Sequence, residues 1–259
     1  MPLSRDESSD TRAPLFWLHG FTQTGQSARQ FRSILAARRE VLTPDLPRHG
    51  TAFHVGGSLD EIAEYLVSQM PEGICDLGGY SMGARVALHM ALNHPEKVRR
   101  LVLLGASYGL STPEERQRRI ERDEALAERI ELIGADAFLN EWLSQPMFTE
   151  LPTDLQELDS RAGQRATSLA SSLREAGTGT QRWLFNDLER ITAVTLAIAG
   201  AHDIPFALRA REIASRIPRG TWTLIPGASH AAHLIQPAWT ARIVDNFLFA
   251  SVNEDATHT

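Results

Sequence analysis

The sequence has a single cysteine, Cys75, and no long apolar run. One thiol excludes an internal disulfide and a thiolate metal cage. No stretch approaches the roughly 20 apolar residues that a membrane-spanning helix needs, and residues 1–12 are too polar for a signal peptide. We therefore expect a cytoplasmic protein in which Cys75 is a small buried apolar side chain. Residues 1–12 and 251–259 are expected to be flexible tails.

Positive charge is also scarce, since 26 Lys and Arg stand against 32 Asp and Glu and the formal net charge is −6. A chain of this balance has no generally basic surface, so neither nucleic acid nor an anionic membrane is an expected partner. The nine histidines lack the spacing of metal ligands, and we expect no metal. The hydrophobic content of 42% is enough for a substantial core.

Short apolar runs alternate with longer helical patterns along the chain. This alternation is typical of a parallel sheet covered by helices on both faces, so the predicted fold class is α/β. The predicted strands are 15–18, 40–43, 74–78, 101–104, 195–199 and 221–225, and the clearest predicted helices are 58–69, 82–93 and 243–249.

The strand pattern stops between residues 108 and 188, where helical patterns take over. We interpret 108–188 as a helical cap inserted into a core made of 13–107 and 189–250. The first cap helix has a clear beginning, because Thr112, Pro113 and Glu115 fit a capping box with proline at the first helical position. Charged residues share the face of this helix that should point at the core. The predicted inward face consists of Arg116, Arg119, Ile120, Asp123, Ala127 and Ile130.

Residues 79–83 read Gly-Tyr-Ser-Met-Gly and fit the G-x-S-x-G pattern of a serine on a sharp turn between a strand and a helix. A serine hydroxyl becomes an effective nucleophile or base when a histidine takes its proton and a carboxylate orients that histidine. Downstream of Ser81, Asp203 and then His230 each follow a predicted strand, which is where catalytic side chains of parallel sheets gather. His233 is the neighbouring alternative to His230, but it lies in a predicted helix start.

The first strand is followed by His-Gly-Phe-Thr at 19–22. A turn at this place supplies one backbone N–H group to an oxyanion hole, and the residue after the serine supplies the other. We therefore expect the N–H groups of Phe21 and Met82 to converge above Ser81.

Arginines accumulate around the predicted site. Arg85 lies one helical turn after Ser81, and the cap contributes Arg119 and, further on, Arg161 and Arg165. A guanidinium in a partly desolvated cleft is best compensated by a bidentate carboxylate, so several of them favour a small polycarboxylate substrate. The alternative is that Arg85 forms a structural ion pair with a carboxylate of the core.

Four runs of the sequence carry a family resemblance: GYSMGAR at 79–85, EERQRR at 114–119, WLSQPMF at 142–148 and LREAGTGTQ at 173–181. They resemble the 2-succinyl-6-hydroxy-2,4-cyclohexadiene-1-carboxylate synthases of menaquinone biosynthesis, which have the α/β-hydrolase fold. The resemblance implies a lyase without a cofactor that removes a ring proton from its substrate and expels pyruvate. In this family the serine, activated by histidine and aspartate, acts as the base.

The resemblance also implies roles for individual side chains. Three arginines would bind the substrate's carboxylates, and two aromatic side chains would line the site. These residues are Arg85, Arg119 and Arg161 for the carboxylates, with Arg161 preferred over Arg165, and Tyr80 and Trp142 for the lining. The chain departs from the family pattern at Ala84 and Arg48, where glycine is common.

Two other classes of function remain open from the sequence. A serine carboxylesterase or a carbon–carbon bond hydrolase would use the same three catalytic residues. A non-enzymatic binding module could retain the fold, although the ordered serine, acid and histidine argue against it. The sequence does not indicate an oligomeric state.

Overall fold

A six-stranded parallel sheet forms the centre of the computed structural model, which describes residues 12–249. The strands are β1 (Leu15–Leu18), β2 (Val41–Leu42), β3 (Cys75–Tyr80), β4 (Val98–Leu104), β5 (Val194–Gly200) and β6 (Gly220–Ile225). Their order across the sheet is β2-β1-β3-β4-β5-β6, and every neighbouring pair is parallel. The predicted α/β class is confirmed. The predicted tail 251–259 and residues 1–11 of the other tail lie outside the described residues.

The central strands are apolar along their length because both faces of a parallel sheet are covered. All residues of β3 and β5 are buried, whereas the edge strand β6 leaves Trp222 exposed. Strand β3 begins one residue later than predicted, and Ile74 is 59% exposed. Cys75 is buried as predicted, and burial together with the neighbouring Asp76 raises the pKa of its thiol to about 12.

Ten α-helices accompany the sheet in the described part of the chain. They are α1 (Arg29–Ala36), α2 (Leu59–Val67), α3 (Met82–Asn93), α4 (Pro113–Ile133), α5 (Ala135–Leu143), α6 (Leu158–Arg161), α7 (Ala166–Ala176), α8 (Ile204–Arg216), α9 (Ala232–Ile235) and α10 (Pro237–Phe249). Helix α3 has the predicted bounds. Helix α10 begins six residues before its prediction, because Pro237 occupies the first helical position, where its missing N–H is not needed.

Helices α4 to α7 lie between β4 and β5 in the chain, where the sequence predicted a helical cap. Helix α4 begins as expected: Thr112 Oγ1 accepts the Glu115 N–H at 3.1 Å, and the Glu115 carboxylate accepts the Thr112 N–H. Helices α4, α5 and α7 share a small apolar cluster of their own that includes Ala127, Ile130 and Leu169. The division into core 13–107 and 189–250 and cap 108–188 stays a prediction.

One ion pair joins α7 to the loop after β2. Arg48 has a φ of 69°, the left-handed region that L-residues avoid, which agrees with the glycine common at this place in the resembled family. Its Nη2 and Nε donate to the two carboxylate oxygens of Glu175 at 2.6 and 3.0 Å. Glu175 also accepts the Gly57 N–H at 2.9 Å. A bidentate pair of this kind stabilises the strained arginine.

A buried charge network ties the sheet to α10 and to the segment that follows α1. The Arg39 side chain is fully buried and donates to Asp76 on β3 at 2.9 Å and to Asp245 on α10 at 3.2 Å. Arg99 on β4 adds a second guanidinium to Asp76 at 2.7 Å. Each of these buried carboxylates therefore has an arginine partner, which offsets part of the penalty of burying its charge, although burial still raises the pKa of Asp76.

Candidate active site

Ser81 occupies the one-residue turn between β3 and α3. Its φ of 53° and ψ of −109° lie outside the regions that L-residues favour, as expected for a sharp strand-to-helix turn. Glycine is required on both sides of it. A Cβ at Gly83 would lie 2.3 Å from the Leu18 carbonyl oxygen, and one at Gly79 would lie 2.4 Å from the Gly83 oxygen. The two glycines therefore let the turn close tightly beneath the serine.

The structure brings Ser81, His230 and Asp203 together. His230 Nε2 lies 3.0 Å from Ser81 Oγ, and His230 Nδ1 lies 2.7 Å from Asp203 Oδ2. Asp203 follows β5 and His230 follows β6, so both reach Ser81 from the carboxyl ends of their strands. With Nδ1–H donating to Asp203, Nε2 is free to accept the serine proton, which is the arrangement of a serine–histidine–aspartate triad.

His233, the alternative histidine, does not contact Ser81. It lies in α9, where its ring packs on Tyr80 at 4.2 Å and edge-on against Phe31 at 5.8 Å. Burial lowers its pKa to about 3, helped by Arg161 and His230. A buried neutral imidazole of this kind supports the packing behind the site.

The two expected oxyanion donors are available. Met82 is the first residue of α3, so its N–H has no acceptor within the helix. Within residues 12–249, no hydrogen bond of the protein occupies the N–H of Phe21 or of Met82. Both residues border the space above Ser81. They can therefore donate to an oxygen bound there.

A cavity of about 260 Å³ opens beside Ser81 and His230. Three guanidiniums and one carboxylate lie among its polar groups, and apolar side chains complete it. The polar wall consists of Arg85, Arg119, Arg122, Asp123, Ser107, Gln145, Ser172 and Thr178, and the apolar wall includes Phe21, Leu126, Trp142, Met147, Leu173 and Phe206. The space suits a small anionic molecule with an apolar ring.

Arg85 lies deep in this cavity, 8% exposed. One of its nitrogens, Nη1, donates to the Ala176 carbonyl oxygen at 2.8 Å. Burial, together with the nearby Arg119, lowers its pKa to about 9, although Asp123 opposes the shift. The alternative of an ion pair with a core carboxylate does not describe its contacts, since its hydrogen-bond partner is a carbonyl oxygen and no ion pair of Arg85 is formed within residues 12–249.

Arg119 and Asp123 form an ion pair on α4, with Nε donating to Oδ1 at 2.8 Å. The other Asp123 oxygen, Oδ2, is buried without a hydrogen-bond partner in the structure. Trp142 lines the same cavity and packs edge-on against Phe21 at 5.1 Å. Arg119 and Trp142 thus stand where the sequence predicted ligand-contacting side chains, and their roles stay predictions.

Arg161 and Tyr80 lie just outside the cavity lining. Arg161 is 4% exposed, and its Nη1 donates to Thr22 Oγ1 at 3.0 Å. Burial lowers the pKa of Arg161 to about 10. The Tyr80 ring packs against His230 at 5.3 Å, and burial raises the pKa of its hydroxyl. Arg165 is the alternative to Arg161 as the third carboxylate-binding arginine. Its guanidinium lies over the Phe53 ring, 3.7 Å from the ring centroid.

The predicted inward face of α4 is partly wrong. Arg116 turns back to donate to the Leu110 and Ser111 carbonyls before the helix, and Ile120 is 39% exposed. The cavity-facing residues are instead Arg119, Arg122, Asp123 and Leu126, spaced i, i+3, i+4 and i+7 on the helix. This spacing is present in the sequence. Which face of α4 points at the cavity depends on how the helix is rotated about its axis, and that rotation is set by the neighbouring elements.

Across residues 12–249, no group of three or more His, Cys, Asp or Glu side chains is placed to hold a metal ion. Over the same range no helix is long and apolar enough to cross a membrane. The expected cytoplasmic location stays a prediction.

Comparison with known proteins matches residues 15–243 to the alpha/beta hydrolase family. A Bacillus subtilis (strain 168) protein, provisionally named a 2-succinyl-6-hydroxy-2,4-cyclohexadiene-1-carboxylate synthase, is 31% identical over 94% of this chain and 93% of its own. A Photorhabdus laumondii protein with that name is 30% identical over 90% and 84%. The chain belongs to this synthase family of alpha/beta hydrolases.

Solved structures agree with membership of the synthase family. MenH from S. aureus superimposes with a TM-score of 0.86 and 28% identity, covering 96% of each chain. A thermophilic esterase from Thermogutta terrifontis superimposes with a TM-score of 0.76 at 20% identity, over 92% of this chain and 90% of its own, which shows a shared fold alone. The synthase family and the esterases therefore share one scaffold.

Proposed function

We propose that this protein eliminates pyruvate from 2-succinyl-5-enolpyruvyl-6-hydroxy-3-cyclohexene-1-carboxylate to give 2-succinyl-6-hydroxy-2,4-cyclohexadiene-1-carboxylate, a step of menaquinone biosynthesis. The observation that carries the proposal is the contact of Ser81 with His230 at the floor of a cavity walled by guanidiniums. The names of the relatives at 30 and 31% identity support the same reaction. The substrate has three carboxylates, which match a cationic wall in a chain of net charge −6.

In the proposed mechanism Ser81 acts as the base. His230 Nε2 accepts the serine proton while Asp203 holds the imidazole through Nδ1. The serine oxygen then removes the ring proton next to the succinyl ketone, and the C–H electron pair becomes an enolate. The N–H groups of Phe21 and Met82 would stabilise the negative charge on the ketone oxygen.

Elimination follows from the enolate. Its electrons move through the ring double bond and break the C–O bond to the enolpyruvyl group, which forms the diene. The proton held on His230 returns to the departing oxygen, and the released enol becomes pyruvate. Atoms balance without water, metal or cofactor. Arg85 and Arg119 would hold carboxylates so that the ring proton faces Ser81, because both guanidiniums line the cavity beside it.

An ultraviolet assay with the enolpyruvyl substrate tests the proposal, since the product is a conjugated diene. Ser81→Ala should lower kcat/KM at least about 1000-fold, because the reacting oxygen is lost. The variant should still fold, since within residues 12–249 the Ser81 hydroxyl bonds only to His230. Ser33→Ala, an exposed serine on α1, is the matched control. Product formation by Ser81→Ala at the parent rate would refute the mechanism.

A carboxylesterase is the second candidate, because a serine 3.0 Å from a histidine can also act as a nucleophile. Neutral aryl esters separate the two candidates. Rapid ester turnover that survives Arg119→Ala would favour the esterase, since a neutral ester needs no guanidinium. Failure of a fluorophosphonate to label Ser81 would instead favour a binding module with no activated serine.

A further inference from the structure

Arg122 is a cavity-lining cation that the sequence patterns did not single out. It lies on α4, one turn after Arg119, and its side chain borders the same space as Ser81 and His230. Unlike Arg85, it is exposed, so it stands on the solvent side of the cavity. Within residues 12–249, no hydrogen bond or ion pair engages its guanidinium, whereas Arg119 is paired with Asp123.

An unpaired guanidinium beside a cavity suits an anion from outside the protein. Arg161, the third arginine that the family resemblance indicates, donates from Nη1 to Thr22 Oγ1, has a buried Nε without a hydrogen-bond partner, and does not border the cavity. Three guanidiniums against the single carboxylate of Asp123 leave the wall with an excess of positive charge. No protein group has to be displaced before a ligand can bind Arg122.

We propose that Arg122 binds one carboxylate of the substrate at the outer part of the cavity, in addition to the arginines that the family resemblance indicates. This inference rests on the proposed function for the identity of the substrate. Residues three apart on a helix have Cβ atoms about 5–6 Å apart, so Arg119 and Arg122 can hold two carboxylates of one small molecule. Arg85 binds at the inner end, so the three guanidiniums span the depth of the cavity.

The first test is the kinetics of Arg122→Gln with the enolpyruvyl substrate. We expect kcat/KM to fall about tenfold, mostly through a higher KM, because a partly exposed charge-assisted hydrogen bond is lost. Arg118→Gln is the matched control, since Arg118 is exposed on the same helix and does not line the cavity. Arg122→Lys should recover part of the loss, since it restores the charge without the bidentate geometry.

The dependence of kcat/KM on ionic strength distinguishes a ligand-binding role of Arg122 from a structural role. The ratio of parent to Arg122→Gln kcat/KM should shrink as ionic strength rises from about 0.02 to about 0.5 M, because an exposed ion pair is screened. Unchanged KM in Arg122→Gln, or a loss that is independent of salt, would overturn the inference.

Calorimetric titration with tricarballylate, a small tricarboxylate, keeps the inference separate from the proposed function. If the parent fails to turn over the enolpyruvyl substrate, but binds tricarballylate several times more tightly than Arg122→Gln does, the proposed function fails and Arg122 stands as a carboxylate ligand. If the parent turns over the substrate and the two proteins bind tricarballylate equally, Arg122 has no such role. If the parent neither turns over the enolpyruvyl substrate nor binds tricarballylate more tightly than Arg122→Gln does, both the proposed function and the role of Arg122 are wrong.

Discussion

His233 is one of several buried imidazoles, with His19 and His49, that make the stability of the fold sensitive to acid. Its ring is buried against Tyr80 and Phe31, and burial lowers its pKa to about 3 from the ordinary 6.5. The folded chain therefore holds this imidazole neutral, while the unfolded chain protonates it below about pH 6.5. Because proton uptake favours the unfolded state, stability is lost as pH falls from about 6.5 towards 3.

We predict that His233→Phe makes the protein less sensitive to acid. One proton taken up on unfolding changes the free energy of unfolding by about 1.4 kcal/mol per pH unit. Between pH 6 and pH 4 this contribution to the slope should be missing in the variant. Phenylalanine keeps the ring contacts. Urea unfolding at several pH values measures the slope, with the exposed His54→Gln as the control for loss of a histidine. An unchanged slope in His233→Phe would show that the buried ring does not titrate in this way.

At the residue scale the sequence predicts the position of a reactive side chain best where that side chain directly follows a strand. Ser81, Asp203 and His230 were predicted to lie together because each follows an apolar run and the ends of parallel strands meet; the structure brings the three side chains together, and their catalytic roles stay predictions. Arg122 was missed for a physical reason. A helical pattern gives the spacing of side chains but not the direction in which the helix faces a cavity, which depends on packing against α5 and α7.

At the scale of elements, α4 matters most because it carries both Arg119 and Arg122. Its first turn is fixed by the Thr112–Glu115 capping box, which satisfies N–H groups that have no partner within the helix. We predict that Thr112→Ala lowers the free energy of unfolding by about 1 kcal/mol and raises KM for the enolpyruvyl substrate, because the helix that holds two guanidiniums frays at its start.

Ser58→Ala is a close control for this prediction. Ser58 caps α2 through an equivalent capping box with Glu61, and α2 contributes no residue to the cavity. The stability loss should be similar, with KM unchanged. Denaturant titration and steady-state kinetics on both variants test this. Equal KM values for the two variants would show that fraying of α4 does not reach the site.

The elements themselves were predictable where local signals are strong. Helix α3 was placed correctly because it is enclosed by the tight turn at Ser81 and by Pro95. Helix α10 was predicted too short, since its apolar pattern is clear only in its second half. Helices α1 and α8 were not singled out although each has an apolar face, because no side-chain cap marks where either helix begins.

At the scale of the whole molecule, the Arg39 network links elements that are far apart in sequence. We predict that Arg39→Met lowers the free energy of unfolding by about 3 kcal/mol, because two buried carboxylates lose a partner. Arg29→Met is the control: its bidentate pair with Asp159 is exposed, so the loss should stay below about 1 kcal/mol. Guanidinium unfolding measures both, and equal losses would contradict the importance of burial.

The overall architecture followed from the sequence because the alternation of strands and helices leaves few α/β topologies. The network around Arg39 could not be foreseen. Arg39, Asp76 and Asp245 are separated by long stretches of chain, and nothing in their local sequence distinguishes them from exposed charges. Contacts of this kind become visible only once the sheet order is known.

The Arg48–Glu175 pair couples the position of α7 to the backbone conformation of the loop after β2 as well as to charge. Arg48 stays in a left-handed conformation, at a position where the related synthases commonly have glycine, while its guanidinium is held by Glu175. If α7 moved away from the loop, Arg48 would lose its ion pair with Glu175. The Glu175 carboxylate would also lose the hydrogen bond that it accepts from the Gly57 N–H. Arg48 thus gives α7 a bidentate contact with the loop after β2 that glycine, which has no side chain, could not make.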